Sequence, residues 1–191
     1  MKKITVGVSN RHIHISQEHL EQLFGSGYEL TNFRDLGQPG QYACEESVEV
    51  CGPKGCFPKV RILGPTRSKT QFEISLTDSF ALGIKNVPVR DSGDLAGSPG
   101  VTIKGPKGTV ELEEGVIVAK RHIHMLPEDA EKFGVSDKDL VKVQTVENER
   151  QLIFDNVLVR VHESFALEMH VDIDEANAAM LKNGDMVSIV E

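Results

Sequence analysis

Most of the chain reads as short β-rich runs broken by Gly, Pro or polar clusters, as in "SVEVCGPKGCFPKVRILG", "GVTIKGPKGTVELEEGVIVAKRHIH" and "DLVKVQTVENERQLIFDNVLVRVH". Runs of that length and make-up predict strands joined by turns. Two of them carry the same turn, GPKG. Helix signals are few and short. Ser16 stands before QEHLEQLF with Gly25 after it, and Pro127 opens PEDAEKF before Gly134. Asp174 precedes EANAAMLK, which Asn183 and Gly184 end. A cap or Pro in front and Gly behind predict small helices at these places. The expected fold class is mainly β, a barrel or sandwich with short helical caps.

One tetrapeptide, RHIH, occurs at Arg11–His14 and again at Arg121–His124. Each copy is followed by a short helix, a turn, strands of similar cadence and a helix with an acidic start. That is an internal repeat of about a hundred residues, too long for a solenoid unit. Extending the alignment through "VRILGPTRSKTQFEISLTDSFA" and "VLVRVHESFALEMHVDIDEANA" sets Val60 beside Val157 without a gap and Glu73 opposite His170. The first half is the longer, and its extra residues are assigned to "GSGYELTNFRDLGQPGQYACEE", an excursion near 25–46.

Residues i and i+2 of a strand face the same side, so His12 and His14 converge while Ile13 turns to the core. A catalytic zinc site uses three protein ligands and keeps a position open. His12, His14 and Glu73 supply one such set, and His122, His124 and His170 a second. One HxH alone would read as a polar strand face; two in matching contexts, each with a third ligand in register, read as metal sites. Nitrogen and oxygen donors without thiolates suit zinc, with cobalt, nickel or manganese as alternatives. His19 and His162 read as solvated or core residues. Arg67, in "GPTRSKT", aligns with Ser164, so the duplication does not account for it; a guanidinium can hold phosphate by two parallel hydrogen bonds. Arg11 and Arg121 point to the opposite strand face and suit structural pairing.

The chain has 191 residues, enough for one large domain or two small ones, and a net charge of −8. It has no basic block, two tyrosines and no tryptophan, which argues against nucleic acid as a partner. A small anionic substrate stays compatible with local lysines and arginines. No apolar run approaches the roughly 20 residues of a membrane span, and "MKKITVGVSN" is not a signal peptide. The expected address is the cytoplasm. Cys44, Cys51 and Cys56 lack CxxC spacing and read as packing or incidental thiols in a reducing compartment.

"SNRHIHIS", "VRILGPTRSKTQFEIS", "AKRHIHM" and "LEMHVDIDEANAA" together resemble the phosphate propanoyltransferases of the propanediol-utilisation type, over residues 4–191. These are metal-dependent phosphotransacylases. The resemblance implies reversible transfer of a short acyl group, propanoyl or acetyl, between coenzyme A and inorganic phosphate. It implies two β-barrels with short capping helices, related by duplication, with the active site at their interface. One barrel would take residues 11–118, with a two-stranded excursion near 25–46, and the other 1–10 plus 119–191. His12, His14 and Glu73 would hold one zinc, and His122, His124 and His170 the other. Arg67 would bind phosphate, and Val8, Ser9, Asn10, Lys54, Arg61 and Asn177 would contact coenzyme A. The attack of phosphate on the thioester is expected to be direct and metal-assisted, with no acyl-enzyme. Members that enter bacterial microcompartments often carry an N-terminal extension, whereas this sequence starts almost at its first strand, so a free cytoplasmic enzyme is expected. A homo-oligomer is compatible with all of this.

Overall fold

The β-rich runs do become strands. The computed structural model describes residues 2–190. Its elements begin with β1 (Ile4–Ser9), β2 (His12–Ser16), α1 (Gln17–Phe24), β3 (Asn32–Asp35), β4 (Tyr42–Cys51), β5 (Cys56–Arg67) and β6 (Gln71–Glu73). There follow α2 (Leu76–Leu82), β7 (Val89–Arg90), β8 (Val101–Lys104), β9 (Thr109–Leu112), β10 (Val116–Ala119) and β11 (His122–Met125). The last are α3 (Pro127–Phe133), β12 (Leu140–Gln144), β13 (Ile153–Val161), β14 (Glu168–Asp172), α4 (Ile173–Ala179) and β15 (Met186–Val190). No helix among the described residues is long and apolar enough to cross a membrane.

The chain divides into two units. One takes the residues up to Asn10, Gly37–Pro39 and everything from Lys120 onward; the other takes Arg11–Leu36 and Gly40–Ala119. In the first, six strands close a barrel in the order β1-β14-β11-β13-β12-β15, and β15 returns to β1. Its inward positions, among them Ile4, Val6, Ile123, Val159, Met169 and Val187, are almost fully buried. In the second, nine strands form a curled half-barrel sheet, with β3 paired only to β4. Ile13, Leu20, Ile62, Phe72 and Ile103 fill its core. β3 runs antiparallel to the start of β4, with Asp35 opposite Tyr42.

The repeat is visible in the pairing. In each unit the HxH strand lies between a parallel and an antiparallel neighbour: β2 between β5 and β6, β11 between β13 and β14. The antiparallel registers set His12 opposite Glu73 and His122 opposite His170. Helix ends repeat as well. A capping box closes the N-terminus of α2 through Ser75 and Asp78, and that of α4 through Asp172 and Glu175. α4 thus starts ahead of the position expected from Asp174, because Asp172 reaches the Glu175 amide and caps two residues earlier; Met180, in the left-handed region, ends it.

The arginine of each RHIH binds the acidic residue of the box in its own unit. Arg11 reaches Asp78 Oδ1 from Nε at 2.9 Å, and Arg121 reaches Glu175 Oε1 at 2.8 Å. Asp78 is 2% exposed, so its cap is withdrawn from water, while the Arg11 side chain of the ion pair is 40% exposed. Asp78→Ala is therefore expected to lower unfolding free energy by about 2–4 kcal/mol, the loss of a cap plus a hydrogen-bonded charge. Urea denaturation checks it; an unchanged midpoint would show the pair contributes nothing.

One expectation fails here. Cys51 and Cys56, read as incidental thiols, form a disulfide with Cα atoms 4.1 Å apart. The β4–β5 hairpin makes them directly opposed partners, which their spacing in the chain does not reveal. Cys44 alone stays a free, buried thiol.

Candidate active site

Strand periodicity puts His12 and His14 on one face of β2, and the antiparallel register brings in Glu73 from β6. The two Nε2 atoms lie 3.1 Å apart. His12 Nε2 is 3.5 Å from Glu73 Oε2, and His14 Nε2 is 3.6 Å from Glu73 Oε1. Metal–ligand bonds near 2.0–2.2 Å at tetrahedral angles separate neighbouring ligand atoms by about 3.3–3.4 Å. The spacing of the three side chains therefore suits one small cation, with His12 and His14 buried and Glu73 nearly so.

A second layer of polar groups holds this cluster. Ser92, just after β7, donates from its hydroxyl to Glu73 Oε1 at 2.8 Å, and Gln71 Nε2 donates to the same oxygen at 2.5 Å. Arg67 Nη1 donates to the Ser92 hydroxyl at 3.1 Å. Arg67, at the end of β5, thus stands one hydroxyl away from Glu73. Burial alone would raise the Glu73 pKa, but His12, His14, the Ser92 hydroxyl and Arg67 together bring it down to about 2. The carboxylate is therefore ionised at neutral pH.

The other cluster is all imidazole. Ring centroids of His122, His124 and His170 form a triangle of 4.6, 5.1 and 4.9 Å, with the rings edge to face. His122 Nδ1 donates to the Lys120 carbonyl at 2.7 Å, which leaves the lone pair on Nε2. His170 Nε2 lies 2.7 Å from Glu168 Oε2, whose other partner is Gln38 Nε2 at 3.1 Å. Burial would raise Glu168, but hydrogen bonds from His170 and Gln38 outweigh it and lower the pKa. His124 Nδ1 is buried with no hydrogen-bond partner among the described residues. An orphaned ring nitrogen in a three-histidine cluster fits a site that takes a cation from outside the chain.

Burial, His122, His170 and Arg160 lower His124 to about 2; burial and His12 hold His14 well below the ordinary value, against the pull of Glu73. Both rings are neutral in the folded chain at working pH, the state that binds metal. The sign of the linkage follows. Below about pH 6.5 the unfolded chain takes up a proton that folded His124 refuses, so stability falls as the pH drops from there towards 2. At pH 5 this amounts to about 2 kcal/mol for His124. Urea denaturation of chelator-treated protein at pH 7.5 and pH 5 should show that loss, with a shallower slope in His124→Asn; equal slopes would refute the assignment.

The residues expected to contact coenzyme A are spread over both units. Val8 and Ser9 lie at the end of β1, where the Val8 amide donates to Asn183 Oδ1 at 2.7 Å, and Asn10 is exposed after it. Asn177 is exposed on α4 in the same unit. Lys54 is exposed in the β4–β5 turn, while Arg61 on β5 donates to the Cys44 carbonyl and lies 5.3 Å from the Phe33 ring centre. His19 bonds Thr70 Oγ1 and His162 bonds Ser164, outside both clusters.

Sequence reasoning missed Gln71, Ser92, Gln38, Glu168 and Arg160. Gln71 and Glu168 were within reach, because each stands two residues before Glu73 or His170 on the same strand face. Arg160, opposite His124 on β13, is masked by its aligned partner Leu63. Ser92 and Gln38 arrive from irregular segments that carry no periodic mark.

The family model described as phosphate propanoyltransferase matches residues 5–182. The phosphate propanoyltransferase of Thermotoga maritima is 63% identical to this chain over 188 residues, covering 98% of the chain and 89% of the relative. Those of Listeria monocytogenes and Clostridioides difficile are 54% and 51% identical, again over 98% of the chain and over 87% and 89% of their own lengths. With the match spanning both HxH strands as well as Glu73 and His170, the chain belongs to the phosphate propanoyltransferase family of transferases.

Proposed function

We propose that the protein transfers a short acyl group, propanoyl or acetyl, reversibly between coenzyme A and inorganic phosphate, giving acyl phosphate and free coenzyme A. The observation that carries this reading is the chain Arg67–Ser92–Glu73, which ties a phosphate-binding group to a metal-binding cluster. His12, His14 and Glu73 would hold one zinc, and His122, His124 and His170 a second. Bound zinc supplies Lewis acidity towards oxygen and a soft partner for a thiolate.

The residues of the chain set the rest. Arg67 offers phosphate a planar pair of N–H donors, and Ser92, by accepting one Nη1 hydrogen, fixes the plane of the guanidinium. Held there, a phosphate oxygen adds to the thioester carbonyl carbon as the nucleophile. The tetrahedral adduct collapses by breaking the C–S bond, and the coenzyme A thiolate leaves with the electron pair. Val8, Ser9, Asn10, Lys54, Arg61 and Asn177 would contact the coenzyme A portion. No cysteine is poised to compete as nucleophile: burial and Glu46 push Cys44 up to about 11, and Cys51 and Cys56 are bonded to each other. This supports direct attack.

The test is thioester loss from propanoyl-CoA and acetyl-CoA, followed spectrophotometrically with and without phosphate on protein of known metal content. Strict phosphate dependence is expected, with acyl phosphate as product. Thioester loss without phosphate would make the protein a hydrolase and overturn the reading. Mass spectrometry after incubation with acyl-CoA alone should find no acylated cysteine; an acyl group on Cys44, Cys51 or Cys56 would overturn direct attack.

A further inference from the structure

The GPKG turn occurs twice in one unit, and both copies do the same structural work. In the β4–β5 hairpin the Gly52 amide bonds the Gly55 carbonyl at 2.9 Å, and the Lys54 amide bonds the Leu82 carbonyl at the end of α2 at 2.9 Å. In the β8–β9 hairpin the Gly105 amide bonds the Gly108 carbonyl and the Lys107 amide bonds the Leu23 carbonyl of α1, both also at 2.9 Å. A Cβ on Gly52 would come within 2.5 Å of the Leu82 carbonyl oxygen, and one on Gly105 within 2.6 Å of that of Leu23. Each turn thus caps a helix C-terminus at a distance only glycine permits.

The two hairpins differ in the residues that flank the turn. Lys104 and Thr109 face each other in one, and Cys51 and Cys56 in the other. The Lys104/Thr109 hairpin shows that the turn and its helix cap form without a covalent staple. The same turn and cap therefore form in the other hairpin with no disulfide, and two opposed cysteines at a partly exposed strand end call for a chemical reason. Glu49 supplies one. It shares the face of β4 with Cys51, its Oε1 lies 3.4 Å from Cys51 Sγ, and Lys104 Nζ on the next strand holds that oxygen at 2.7 Å. The Glu49, Cys51 and Cys56 ligand atoms all fall within 4.8 Å of one another.

We propose that this hairpin end is a redox-gated site for a thiophilic divalent cation: the disulfide binds none, and after reduction Cys51, Cys56 and Glu49 bind one. Reduction by a dithiol proceeds by exchange. The S–S bond of the protein breaks, two electrons and two protons pass to Cys51 and Cys56, and the reductant leaves as its own cyclic disulfide. Cation binding then releases the two thiol protons, because thiolates are the ligands. Two sulfurs and one carboxylate favour a soft ion over magnesium or calcium. The site is separate from the histidine clusters and does not depend on the transferase reading.

Cadmium is a suitable probe, since its bonds to thiolate absorb in the ultraviolet and its bonds to imidazole or carboxylate do not give that band. The full chain would be titrated with cadmium as isolated in the oxidised form, and again after dithiothreitol treatment and anaerobic desalting. With both histidine clusters first filled by zinc, the expected result is no thiolate band when oxidised and a band saturating at one equivalent of cadmium when reduced. The band should vanish in Cys51→Ser and persist in Cys44→Ser, with far-ultraviolet circular dichroism confirming that both variants are folded. A reduced wild type without the band overturns the proposal, and so does a band retained in Cys51→Ser.

Discussion

Arg67→Ala is expected to lower acyl phosphate formation by roughly 10²-fold or more, the scale set by removing one well-placed donor from developing charge. The loss should fall on phosphate and leave the metals in place. Ser92 and Gln71 still donate to Glu73 when the guanidinium is gone, so the carboxylate keeps its orientation. Arg67→Lys should recover only part of the rate, because an ammonium restores the charge but not the two parallel hydrogen bonds. Initial rates against phosphate concentration, with zinc measured on the same samples, separate these effects. Phosphate kinetics equal to wild type in Arg67→Ala would remove Arg67 from the site.

On the proposed ligand sets, His124→Ala is expected to abolish transfer and to lower bound zinc by one per chain. Its cluster is all imidazole, so losing one ring leaves two protein ligands where a catalytic site needs three. His124 is also the ring whose Nδ1 has no partner in the protein among the described residues, and its burial keeps it neutral and ready to ligate. The Glu73 cluster lies in the other unit with its own hydrogen bonds and should retain its metal. Metal analysis beside a circular dichroism spectrum distinguishes an emptied site from an unfolded one. Two zincs retained in a folded His124→Ala protein would reject the ligand set.

Much of the candidate site was legible because it obeys local rules. An HxH in a strand faces one way whatever surrounds it, and a gapless alignment of the halves carried Glu73 onto His170. The antiparallel registers of β2 with β6 and β11 with β14 realise that correspondence. The repeated arginine was harder to read. Its face was predictable, but its partner, the third residue of a helix far along the chain, depends on how β6 and β14 lead into α2 and α4.

The chain by itself determined the duplication, the β-rich class, the membership of the two three-residue clusters and the oddity of Arg67, since strand period, capping and repeat spacing act over a few residues. Tertiary structure decided which groups tune them. Ser92 reaches Glu73, and Gln38 reaches Glu168, through irregular segments whose paths follow from long-range packing rather than from periodicity. Cys51 and Cys56 become partners for the same reason: only a hairpin register, set by a turn anchored on the end of α2, brings the two sulfurs together.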